Sequence, residues 1–229
     1  MALPRDVKAV VFDMDGLLVD SEVVYCEALT SQAAAMGYDL PLAVMKRMIG
    51  HAWAGSAQVL RDHFGPDFDT DALRDGSVRR FYELAQAKIA LKAGVLEILD
   101  HLDACRLPRA VCTSSRRVDV EHHLTAHGLL DRFHAVLAQG DYPRPKPSPD
   151  PYLKAAEALG VDPAHCLALE DSHNGVRSAA AAGMMTIMVP DMLDPTEEMR
   201  SLCVRIAADL HEVRGLLEPR YHSGMSGRL

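Results

Sequence analysis

The sequence predicts an α/β fold, a doubly wound parallel sheet with a helical module inserted after the first strand. Three observations predict it. Val7 to Phe12 is a valine-rich apolar run that ends at two acids, as a buried parallel strand would. From about residue 110 to 189, short apolar runs alternate regularly with amphipathic segments, the rhythm of βαβ units. Between these two regions lies a stretch with helical patterning and loops but no strand pattern.

Taken in order, the first strand gives way to Gly16, which lets the chain turn sharply. Asp20 or Ser21 can cap a helix over 22–36 that stops at Gly37. Gly50, Gly55, Gly65-Pro66 and Gly76 punctuate the helical stretch up to about residue 90. An amphipathic helix over 94–102 then leads to a strand over 110–113, a helix over 118–127 ending at Gly128, and a strand over 134–138. Ser148 followed by Pro149 starts a helix that runs to Leu159 and stops at Gly160. The strand 166–169, a helix from about Gly175 to Ala182, and the strand 186–189 complete the pattern. The polar tail 218–229 is assigned no function. Residues 1–17 and 92–229 are thus read as the core and 18–91 as the insert. In such sheets ligands bind at the carboxyl ends of the strands, where Asp13, Thr113 and Asp171 all fall.

Composition narrows the function classes. A chain of 229 residues with 48% hydrophobic content can bury a core and carry a smaller module. A net charge of −8, with the acids spread along the chain, favours neither a nucleic-acid nor an anionic-membrane surface. No run reaches the length of a membrane span, and the N-terminal apolar stretch is too short for a signal peptide. Five cysteines, without a C-x-x-C pair, argue against a zinc or disulfide framework and for a reducing, cytoplasmic setting. Cys112 and Cys166 fall in strands and read as small buried hydrophobes. His122, His123, His127 and His134 lack a metal-ligand pattern and read as solvated surface positions.

Chemistry concentrates at Asp13-Met14-Asp15-Gly16. Side chains alternate along a strand, so Asp13 and Asp15 can point the same way where the strand meets its loop. Two carboxylates held that close repel unless a cation lies between them or one shares a proton. An acidic, solvated turn is the plain alternative. Three further segments weigh against it. Thr113-Ser114-Ser115 offers hydroxyls and N–H donors for phosphate oxygens, Lys146 is held in a proline-rich loop, and Glu170-Asp171 follows an apolar strand. Adjacent acids on an extended chain face opposite ways, so only one of this last pair, Asp171, can point directly at a metal unless the loop bends.

The run Asp13 to Glu22 resembles the first motif of the haloacid dehalogenase superfamily of hydrolases, in the phosphatase and β-phosphoglucomutase branch. Thr113, Lys146-Pro147 and the run Glu170 to Gly183 resemble its other three motifs, in the right order. The resemblance implies Mg²⁺ held by Asp13, the Asp15 carbonyl and Asp171, with Glu170 as a further ligand or an acceptor behind them; all-oxygen donors suit that ion. It implies an aspartyl phosphate formed on Asp13 from a small phosphorylated metabolite. Asp15 serves as acid and then base, Thr113 and the Ser114 N–H bind phosphate, and Lys146 offsets charge. Residues 18–91 resemble the family's helical cap, with Glu22, Tyr25, Gly50, His51 and Trp53 as substrate contacts; Asn174 in the fourth motif is a further one. Where β-phosphoglucomutases carry a histidine and a phosphate-gripping arginine, this chain has Tyr25 and Trp53, so the resemblance implies hydrolysis of a sugar or sugar-acid phosphate. Trp53 reads equally as an aromatic of the cap's own core. The rival functions are a phosphosugar mutase and a catalytically retired binding module. A dehalogenase would need neither Asp15 nor the metal. The expected partners are a small metabolite and at most a second copy of the chain.

Overall fold

A computed structural model describes residues 3–48, 53–85 and 89–221. Its six strands are β1 (Ala9–Phe12), β2 (Arg109–Cys112), β3 (Ala135–Leu137), β4 (Cys166–Glu170), β5 (Met185–Met188) and β6 (Arg205–Ile206). They form one sheet in the order β3-β2-β1-β4-β5-β6, with every neighbouring pair parallel. The strand order reverses between β1 and β4, and the carboxyl ends beside that reversal form the crevice in which open α/β sheets bind ligands.

The helices are α1 (Ser21–Ala35), α2 (Leu42–Met48), α3 (Trp53–Phe64), α4 (Thr70–Ala85), α5 (Val95–Ala104), α6 (Arg117–Ala126), α7 (Asp150–Leu159), α8 (His173–Ala181), α9 (Glu197–Leu202) and α10 (Leu210–Tyr221). The chain divides into two compact units, Met1–Val19 with Leu91–Leu229, and Asp20–Ala90. The first holds the sheet and α5–α10, the second α1–α4. At the crossings between them, Val19 pairs antiparallel with Leu91, and the Lys92 N–H donates to Leu18 O at 3.0 Å.

Small side chains decide how tightly one face of the sheet is covered. Ala9 and Val11, Ala110 and Cys112, and Cys166 and Ala168 alternate onto that face, where Tyr152, Ala155 and Ala156 of α7 pack into one buried cluster with them. On the sequence neighbours of those positions, Phe12 is fully buried and meets Phe133 edge-on at 5.9 Å. The helical unit has its own core, built from Leu29, Ala33, Leu40, Val44, Met45, Met48, Val59, Leu60, Phe68 and Leu73.

The expected strands and helices of the sheet unit are present within a residue or two at each end, while the sequence pattern announces none of β6, α9 and α10. β6 is two residues long with Arg205 exposed, and so short an edge strand has no sequence pattern to announce it. α7 begins at Asp150, with Pro149 at the cap position. α8 begins at His173, because Ser172 accepts the Gly175 N–H and caps the helix earlier than the glycine suggested. His123, expected at the surface, is buried in α6, and burial lowers its pKa. Cys112 and Cys166 are buried as expected.

Candidate active site

Phe12 and Leu169 are register partners on neighbouring parallel strands, so Asp13 and Glu170 leave β1 and β4 at the same level. The Asp13 N–H extends the ladder by one bond to Leu169 O at 3.0 Å. At Asp171 the chain bends out of the strand, and this bend lifts the restriction that adjacent acids face opposite ways. As a result, one carboxylate oxygen from each of Asp13, Glu170 and Asp171 lies within 4.8 Å of the others.

Two glycines make room for these acids. A Cβ on Gly16 would lie 2.3 Å from Asp171 Oδ2, and its φ of +76° already disfavours any side chain. Gly175 sits in the first turn of α8, where a Cβ would fall 1.9 Å from Glu170 Oε1. Its role is to leave space for a buried carboxylate.

Lys146 ties the acids together. Its Nζ donates to Asp13 Oδ1 at 2.6 Å, Glu170 Oε1 at 2.5 Å and Cys112 O at 2.9 Å. Glu170 is wholly buried and saturated: Tyr152 OH also donates to Oε1 at 2.6 Å, and Ser172 Oγ donates to Oε2 at 3.0 Å. The Lys146 ammonium lies 5.1 Å from the centroid of the Tyr152 ring. Burial works against charge on Lys146, but Asp13 and Glu170 outweigh it and hold its pKa well above the ordinary value. At Asp13 the balance falls the other way. Burial, aided by the charges of Glu170 and Asp15, outweighs the attraction of Lys146 and pushes the carboxyl up to about 8. Three clustered carboxylates therefore outnumber the one cation beside them.

Asp15 points elsewhere. Its Oδ2 accepts from Ser115 Oγ at 2.6 Å and from Thr113 Oγ1 at 3.3 Å, while Thr113 Oγ1 itself accepts the Ser115 N–H at 3.0 Å. Its carboxylate is not one of the three grouped acids. Thr113 is buried behind β2, and Tyr142 OH donates to its carbonyl at 2.8 Å.

Of the residues singled out in the sequence, the structure brings together Asp13, Lys146, Glu170 and Asp171, with Asp15 and Thr113 hydrogen-bonded to each other. Ser114 is exposed, and Asn174 Oδ1 is engaged by Arg177 at 3.1 Å. In the helical unit, Glu22 is partly buried and the Tyr25 ring meets Phe81 edge-on at 6.2 Å. Trp53 packs against that unit's core with the Arg74 guanidinium 5.7 Å from its ring centroid, as the cap-core reading describes. Gly50 and His51 lie outside the described residues. The sequence offers the Ser115 hydroxyl as a phosphate donor, whereas here it holds Asp15, and it does not single out Tyr152, because a tyrosine on the apolar side of an amphipathic helix reads as core.

Comparison with known proteins assigns the family. A family model described as haloacid dehalogenase-like hydrolase matches residues 10–189. YhcW of Bacillus subtilis (strain 168) is 35% identical over 192 residues, which span 83% of this chain and 86% of YhcW. Hexitol phosphatase B of Escherichia coli (strain K12) is 32% identical over 198 residues, again 83% of this chain and 86% of the relative. The crystal structure of CbbY from Rhodobacter sphaeroides in complex with phosphate matches with a TM-score of 0.72 and 27% identity, covering 90% of this chain and 96% of that one. The chain belongs to the haloacid dehalogenase-like hydrolases.

Proposed function

We propose that the protein is a Mg²⁺-dependent phosphatase that hydrolyses a small sugar or sugar-acid phosphate through an aspartyl phosphate on Asp13. That it is a phosphoric monoester hydrolase rests on its family and on phosphatases among its relatives. The carboxyl group of Asp13 carries the rest: it lies 2.6 Å from a buried ammonium and within 4.8 Å of two further carboxylates.

The donor set suits a hard divalent cation. Asp13 and Asp171 would hold Mg²⁺, together with the Asp15 carbonyl, while Glu170, already saturated by Lys146, Tyr152 and Ser172, keeps the ammonium in place. The raised pKa of Asp13 marks a site short of positive charge. Bound Mg²⁺ would offset the repulsion between a phosphate and the carboxylates. In the first step an Asp13 oxygen forms a bond to phosphorus as the bond to the substrate alkoxide breaks, and Asp15 gives that oxygen its proton. Then Asp15 takes a proton from the water that attacks phosphorus, which releases phosphate and restores Asp13. Ser115 and Thr113 fix the Asp15 carboxyl, and Lys146 counters the charge on the phosphoryl group. The helical unit acts as the cap that selects the leaving group, with Glu22 and Tyr25 among its contacts. Hexitol phosphatase B supports a polyol phosphate as the substrate class. None of the five cysteines is joined in a disulfide, in keeping with a reducing, cytoplasmic setting.

Acid-quench trapping with radiolabelled sugar phosphates, in wild type and Asp13→Asn, tests this reading. The wild type is expected to carry label on the peptide containing Asp13, and the variant none. Label on another peptide overturns the nucleophile. Assay of β-glucose 1-phosphate with a trace of the 1,6-bisphosphate separates the rival: free phosphate supports hydrolysis, and accumulation of glucose 6-phosphate identifies a mutase.

A further inference from the structure

Asp191 follows β5 in the loop Val189-Pro190-Asp191, outside every motif noted above. Its Oδ1 accepts from Lys92 Nζ at 2.8 Å. Its Oδ2 is buried and has no hydrogen-bond partner among the described residues. A carboxylate oxygen in that state is costly to keep, because it has lost water and gained nothing in exchange. Gly16 shows where the oxygen points: a Cβ on that residue would lie 2.3 Å from Asp171 Oδ2 and 3.2 Å from Asp191 Oδ2. Both oxygens therefore overlook the same bare face of Gly16, directly after Asp15. Yet Asp191 does not belong to the set of acids whose oxygens all lie within 4.8 Å of one another. It stands one layer further out than a direct ligand.

Mg²⁺ gives up its water reluctantly and usually keeps several molecules, each with hydrogens to place. We propose that Asp191 is a positioning residue for the metal: its Oδ2 accepts a hydrogen bond from a water on the ion held by Asp13 and Asp171, and Lys92 aims it by gripping Oδ1. This inference rests on the metal reading above. Acceptors in this outer position typically change metal affinity 10- to 100-fold.

Titration calorimetry with Mg²⁺ on the substrate-free full chain tests it without reference to turnover. Asp191→Ala is expected to weaken Mg²⁺ binding about tenfold, and Asp191→Asn by less, since the amide oxygen still accepts. The melting temperature of the metal-free protein is expected to stay level, because removing the unpartnered Oδ2 offsets the loss of the pair with Lys92, whose side chain is 27% exposed to water. A purely structural role for Asp191 predicts the reverse, a lower metal-free melting temperature with unchanged Mg²⁺ affinity, and overturns the proposal. Should Asp191→Ala fail to fold, wild-type affinity in Asp191→Asn overturns it equally. Asp13→Asn and Asp171→Asn serve as references. If they abolish binding while the Asp191 variants bind normally, only the role of Asp191 fails. If they too bind normally, the metal reading itself fails.

Discussion

The two units of this protein bury polar groups in opposite ways. In the sheet unit the buried polar residues include the ionisable side chains of Asp13, Glu170, Arg109 and His123. In the helical unit the described buried polar residues are Ser21, Ser56, Thr70 and Ser77, all hydroxyls. Ser77 Oγ donates to Leu73 O at 2.7 Å and Ser56 Oγ to Met48 O at 3.3 Å, so both are satisfied within the unit. One unit stores electrostatic imbalance, and the other is an ordinary apolar core. The difference teaches where chemistry and variation can reside. A charge network such as Asp13, Lys146 and Glu170 tolerates few changes, whereas hydrophobes of similar volume can be exchanged with modest loss.

The largest expected effect attacks the charge network. Lys146→Met leaves Asp13 and Glu170 buried without their cation, and breaking such a pair costs about 3–5 kcal/mol. Urea unfolding of the metal-free variant should show a loss near the lower bound below pH 8, where Asp13 can take up a proton. A loss under about 1 kcal/mol, the scale of an exposed pair, would break the comparison.

Next comes the apolar core. Leu60 is fully buried in the helical unit, and Leu60→Ala should cost about 2–5 kcal/mol through lost contacts and a cavity. Amide hydrogen exchange is expected to locate the lost protection in residues 20–90. Equal loss in β1 and β4 would mean that the units do not open separately.

The smallest effect is a pH dependence. Asp13 has a folded pKa of about 8 against an ordinary 3.8, so between these values the metal-free protein holds a proton that a cation must displace. Mg²⁺ affinity should therefore fall on acidification below pH 8, by up to about tenfold per pH unit, with proton release visible in calorimetry in buffers of different ionisation enthalpy. By the same sign, the metal-free fold loses stability as pH rises from about 3.8 to about 8, because only the unfolded chain gives up this proton freely in that window. A flat affinity between pH 6 and 8 would show that Lys146, rather than burial, sets the state of Asp13.

What was legible in the sequence follows the same division. β1 and most of β4 are apolar runs, and Asp13, Lys146 and Glu170-Asp171 stand at their ends or in a proline-braced loop, so order along the chain pointed to the residues that the structure brings together. Partners that act through tertiary contact were not legible. Tyr152 reaches Glu170 from inside the core, Ser115 reads as a phosphate donor rather than as the partner of Asp15, and Asp191 is a loop acid until Gly16 is seen beneath it. His123 was misjudged because α6 has little amphipathic contrast, with histidines and charges on several sides. In the helical unit the pattern gave helices but not their contacts: Trp53 turned out to pack against its own core and Arg74.

The pairing of Val19 with Leu91 has a consequence for how such a chain can evolve. The two ends of the insertion meet side by side, so to the sheet the whole of α1–α4 is a loop whose closure is already made. Closure entropy grows only as the logarithm of loop length, about 0.6 kcal/mol for each doubling. Lengthening, shortening or replacing the excursion therefore barely alters what the sheet must overcome to fold. The helices form an exchangeable cassette on a sheet that need not be rebuilt.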